Sequence, residues 1–145
     1  MPVATELDHT FSTSKPVDQS WAAITDLERL VPCVQGGRVL EKVDDNTVKA
    51  EIIIKMGAMT MEFTGTVQIT EQNAGAHRAV MAVKAREKGG QGHANANVTF
   101  ALDNGGGNIH TSAQITGKAA SMGEGAIVGV LDALIKDFTG KLANM

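Results

Sequence analysis

The chain has 145 residues, enough for one ordinary domain able to bury roughly 68 to 70% of the surface that its unfolded form exposes. Thirteen Lys plus Arg against sixteen Asp plus Glu give a net charge of -3 with no basic run, which excludes the electrostatic footprint that a nucleic-acid partner would require. A single cysteine, Cys33, leaves no internal disulfide to form, "MPVATELDHTF" has no basic region leading into an apolar run, and no stretch approaches the ~20 apolar residues of a membrane span. The expected compartment is therefore cytoplasmic, with any membrane contact peripheral, at the inner face of the cell membrane.

In chain order, "ELDHTFST" alternates Leu7, His9 and Phe11 on one face and predicts a first strand. "SKPVDQSWAAITDLERLVP" then places Val17, Trp21 and Ile24 at helical spacing behind Pro16. Asp26 follows as the expected cap of a second short helix carrying Leu27, Leu30 and Val31. "RVLEKV" predicts a second strand, and Val48, Ala50, Ile52, Ile54 and Met56 mark one face of a third. Gly57-Ala58 suits a two-residue type II′ turn, after which Met59, Met61, Phe63, Val67 and Ile69 resume the apolar face.

"HRAVMAVKAR" continues the alternation with Ala79, Met81, Val83 and Ala85. "GHANANVTFAL" does the same with Ala94, Ala96, Val98, Phe100 and Leu102, and "NIHTSAQITG" with Ile109, Thr111, Ala113 and Ile115. The Gly-rich joints "EKGGQG" and "DNGGGN" lie between strands and open no helix, so they read as hairpin turns rather than phosphate cradles. From about Ala120 to Leu142, Ile127, Val130, Leu131, Leu134, Phe138 and Leu142 share one face of a long helix, with Ser121 and Glu124 spaced as a capping box. Its small residues from Ala119 to Gly129 fit either a movable mouth or close packing on the sheet. The whole is α+β: a curved seven-stranded antiparallel sheet, two short helices after the first strand, and a long C-terminal helix across the apolar face.

Candidate chemistry is sparse. Cys33 has no neighbouring base in sequence and reads as a small buried residue, while His77, His93 and His110 fall on turns or outward registers without metal-ligand spacing. His9 alternates with Leu7 and Phe11 and is the one polar candidate for the interior. The inward registers offer Ala, Val, Ile, Phe and Met and no acid and base together, so no catalytic residue and no metal are expected. Seven Met and only five aromatic residues make the interior small-sided and pliable, which leaves room for a ligand where sheet and helix are held apart.

The element order, with "PVDQSWAAITDLERLVPCVQGG" after the first strand and "TGKAASMGEGAIVGVLDALIKDF" at the end, resembles the START-like SRPBCC superfamily and, within it, the G-subunit family of carbon monoxide dehydrogenase. Pro16, Trp21 and Asp26 match the family pattern on the first helix, "CVQG" resembles its Cys-x-Pro-Gly turn with Gln35 for the proline, and "GKAASMG" resembles its entry to the last helix with Ala119 and Met122 at leucine positions.

The resemblance implies a single helix-grip domain over residues 1–145 with an apolar cavity between sheet and helix. It also implies a non-catalytic accessory role beside the subunits of a molybdenum carbon monoxide dehydrogenase, with handling of a quinone. In such a cavity the expected lining is Met56, Met59, Met61, Phe63, Met81, Val83, Ala96, Phe100, Met122, Ala126, Ile127, Val130 and Leu131, with His9 as a polar group. No cofactor is required, and the expected occupant is a quinone or lipid-like molecule. The alternative within the same superfamily is a cyclase- or hydrolase-like enzyme acting on an apolar substrate.

Overall fold

The computed structural model describes residues 3–56, 58–90 and 92–144, with the side chains of Met56 and Met59 outside that description. Seven antiparallel strands form one sheet: β1 (Val3–Ser12), β2 (Gly37–Asp44), β3 (Thr47–Met56), β4 (Met59–Asn73), β5 (Arg78–Glu87), β6 (Gly92–Asp103) and β7 (Gly106–Gly117). The spatial order β1-β7-β6-β5-β4-β3-β2 is a meander from β2 to β7, with β1 returning to pair with β7. Between β1 and β2 lie the helices α1 (Val17–Ile24) and α2 (Leu27–Leu30) and a 3₁₀ turn at Val31–Cys33. The long helix α3 (Glu124–Leu142) closes the chain.

Alternation dictates which side of each strand is covered. Buried Phe63 and Ile69 on β4, Ala79 and Met81 on β5, Phe100 and Leu102 on β6, and Ile109, Ala113 and Ile115 on β7 all stand on the inner face. The inner face binds two buried clusters, one at each end. At one end Phe11, Ile24, Leu27, Leu30, Val48, Ile69, Met81, Phe100, Phe138 and Leu142 join α1, α2 and the last turns of α3 to the sheet. At the other, Val3, Met61, Phe63, Ile115, Ala119, Ala120 and Ile127 tie the first turn of α3 to β1, β4 and β7. Every fully buried Leu, Ile or Phe contributes about 1.5–3 kcal/mol, so both ends of the helix are held strongly.

Two cap expectations fail. Asp26 occupies the N-cap position of α2 without a side-chain cap bond. Ser121 caps nothing either, because its hydroxyl donates to the Lys118 carbonyl at 2.6 Å within a separate 3₁₀ turn, Ala119–Met122. Gly123, with φ of 93°, breaks that turn from α3, a conformation that an L side chain adopts only under strain. The long helix accordingly begins at Glu124 rather than near Ala120. Its glycines are not pressed on the sheet: a Cβ added at Gly125 or Gly129 meets nothing within 4 Å.

Candidate functional site

Cross-strand register shows where the interior cannot fill itself. Ala50 pairs with Gly65, Gly65 with Ala85, and Ala85 with Ala94, so one row across four strands carries no side chain larger than a methyl group. The adjacent row runs Val67, Val83, Ala96 and Ala113. Gly65 also lets the backbones close up, since a Cβ there would overlap the Lys84 carbonyl oxygen and stand 2.7 Å from Ala85 Cα. Small side chains in the middle of a curved sheet, with bulky clusters at both ends, leave a trough that α3 bridges without occupying.

The result is a cavity of about 280 Å³. Its floor is these two rows with Ile52, Ile54, Phe63, Met81, Phe100, Ile109 and Ile115. Ile127, Val130, Leu131, Leu134, Ile135 and Phe138 of α3 form its roof, and Leu30, Val31 and Val34 one side. Phe100 and Phe138 meet edge to face at 6.2 Å between ring centres, bracing floor and roof at that end. Glu51, Lys84 and Asn95 also border the space. They stand on outward registers, Glu51 paired with Arg38 on the opposite face, so their main chains supply the contact. Lining that is apolar, with few polar groups, is the character of a site for a small uncharged molecule.

Of the residues expected to line a cavity, Phe63, Met81, Val83, Ala96, Phe100, Ile127, Val130 and Leu131 are on this wall. Met61 and Met122 are not: Met61 is sealed within the end cluster, and Met122 packs against it from the 3₁₀ turn. Ala126 is exposed, because it precedes Ile127 and is turned about 100° around the helix from the roof. Met56 and Met59 pair across the hairpin, but their side chains lie outside the described residues, as does Gly57 of the expected turn. Sequence reading missed Leu30, Val31 and Val34, which the α2 turn swings over the sheet, and the row Ala50, Gly65, Ala85 and Ala94. Only strand register, not periodicity within a strand, aligns that row.

His9 is also off the wall. Its Nε2 meets Asp132 Oδ1 at 2.7 Å, joining β1 to α3, and its Nδ1 is sealed without a partner. Lys136 reaches the other Asp132 oxygen at 2.9 Å, and Lys136 first, then His9, hold the Asp132 carboxyl below the usual carboxylate range. The remaining candidates stand away from the cavity. His77 pairs with Asp18 at 3.0 Å and meets Trp21 edge to face, tying the β4–β5 turn to α1. His110 bridges Asp8 and Glu6 of β1 on the outer face, and these carboxylates raise its pKa. His93 is exposed on β6. Cys33 is half-buried, with its thiol 3.4 Å from the Arg29 carbonyl, and burial pushes its pKa up, away from a reactive thiolate.

No curated protein matches the sequence. A conserved protein from Geobacillus kaustophilus has a similar structure, with a TM-score of 0.74 and 19% identity over 99% of this chain and 93% of its own. The Zhui aromatase/cyclase from Streptomyces aligns with a TM-score of 0.65 and 12% identity over 96% of this chain and 93% of its own. Norcoclaurine synthase from Thalictrum flavum follows with a TM-score of 0.57 and 12% identity, covering 99% of this chain and 89% of its own. At such identities these likenesses establish the helix-grip, START-like fold alone. The sequence itself is matched over residues 10–145 by the model of CoxG, the carbon monoxide dehydrogenase G-subunit family, and the chain belongs to that family.

Proposed function

We propose that the protein is a non-catalytic carrier that holds an uncharged apolar molecule, a quinone or lipid-like compound, between the sheet and α3. The observation that carries this reading is the apolar cavity over the row of Ala50, Gly65, Ala85 and Ala94 and the row beside it. Family membership supports a place beside a carbon monoxide dehydrogenase, in the cytoplasm or peripherally at the membrane; no described helix is long and apolar enough to cross one. The quinone assignment rests on the same family relationship.

An aromatase/cyclase shares the fold, but the wall of this cavity gives an enzymatic reading little support. Acid–base chemistry needs a titratable group within hydrogen-bond reach of the reacting atoms. His9, the sequence candidate, is committed to Asp132 at one nitrogen and sealed at the other. The test is to purify the protein, extract it with organic solvent and identify the released compound by mass. An uncharged apolar molecule, present in stoichiometric amount and rebinding unchanged, is the expected result. A stripped protein that takes up no quinone or lipid-like probe overturns the reading, as does conversion of the bound compound to a product.

A further inference from the structure

We infer that Thr111 supplies the hydrogen-bonding anchor of the cavity, selecting an apolar ligand that carries an oxygen atom. The inference rests on the carrier reading and sharpens its ligand class. Thr111 stands on the inner register of β7 between Ile109 and Ala113, both of which line the cavity with it. Its cross-strand partners are Leu7 and Val98, so apolar residues surround it on the sheet. Thr and Val have nearly the same shape, and packing alone would be met by Val at this position. A buried hydroxyl without a partner is costly, which makes its presence informative.

The hydroxyl has no protein partner among the described residues. Nor is it sealed: the one sealed and unpartnered side-chain polar atom among those residues is His9 Nδ1. Thr111 is only 6% exposed, so the open space that its hydroxyl meets is the cavity. The other polar residues bordering the cavity, Glu51, Thr66, Lys84 and Asn95, all stand on outward registers. A hydroxyl can donate to a carbonyl or ether oxygen and accept from a hydroxyl, whereas a charged headgroup would find no counter-ion on this wall. The ligand class is therefore an uncharged apolar skeleton with at least one carbonyl, ether or hydroxyl oxygen near β7.

The test compares two probes on three proteins by calorimetric titration. One probe is a 1,4-naphthoquinone methylated at both open carbons of its quinone ring, which removes the position where the Cys33 thiol would add; the other is the hydrocarbon of the same skeleton. The proteins are the wild type, Thr111→Val and Thr111→Ser. Thr111→Val should be at least as thermostable as the wild type and bind the quinone roughly three- to tenfold more weakly, the share of one neutral hydrogen bond, with no loss for the hydrocarbon. Thr111→Ser should recover much of the quinone affinity. Equal effects on the two probes, or a Thr111→Val variant that binds the quinone as the wild type does, overturn the anchor and leave the carrier reading standing. If neither probe binds the wild type, the carrier reading fails and takes the anchor with it.

Discussion

Gly65 and Asp132 show how single side chains shape this molecule from opposite directions, one by absence and one by charge. At Gly65 a methyl group would drive β4 away from the Lys84 carbonyl, so Gly65→Ala should destabilise the protein by about 1–3 kcal/mol in urea unfolding. An unchanged midpoint there would mean that β5 yields freely. Asp132 draws its lowered pKa from Lys136 and then His9. A depressed carboxyl contributes stability that is complete above its unfolded pKa of about 3.9 and fades as pH falls through the lower folded value. Asp132→Asn should accordingly be less stable than the wild type at neutral pH, with the gap closing as the pH falls through and below the usual carboxylate range. A gap that persists unchanged into acid would assign the loss to packing rather than charge. His9 is part of the same pair: alternation put it on the inner face of β1, but only the position of α3 over β1 decided that it meets Asp132 instead of a ligand.

At the scale of elements, strand alternation was legible almost everywhere, because a half-buried antiparallel strand writes its covered face into every second residue. All seven strands and both short helices lie where that pattern and the Pro16 and Gly signals put them, to within a few residues. The entry to α3 differs from the sequence expectation because Ser121 and Glu124 have capping spacing while Gly123 between them takes a left-handed turn. Composition alone left the glycines of α3 open to two readings, and the space around them removes the close-packed one. Gly129→Ala in particular fills open surroundings inside a helix, and should raise stability by about 0.5–1 kcal/mol. A loss of stability on thermal unfolding would show that this helix face packs on something in the free protein.

Across the whole molecule, the cavity follows from how bulk is distributed: large side chains gather into two clusters at the ends of the sheet, and small ones meet across its middle. The scarcity of bulky residues was visible in composition, and membership of a cavity fold in the terminal motifs. The place of the cavity was not, since Ala50, Gly65, Ala85 and Ala94 lie far apart in sequence and align only through register. Met61 and Met122 shared the right face but lie in the packed cluster beside the space. The proposed carrier function therefore requires that a ligand sit in the space above these rows. Calorimetric titration of the methylated naphthoquinone into the wild type and Ala96→Leu tests this most directly, because the added methylenes of Leu enter the cavity from the middle of its floor. Ala96→Leu should gain about 1–2 kcal/mol in stability from newly buried carbon and lose binding by about tenfold or more. A folded Ala96→Leu protein that binds the quinone as tightly as the wild type would contradict a ligand site at this position.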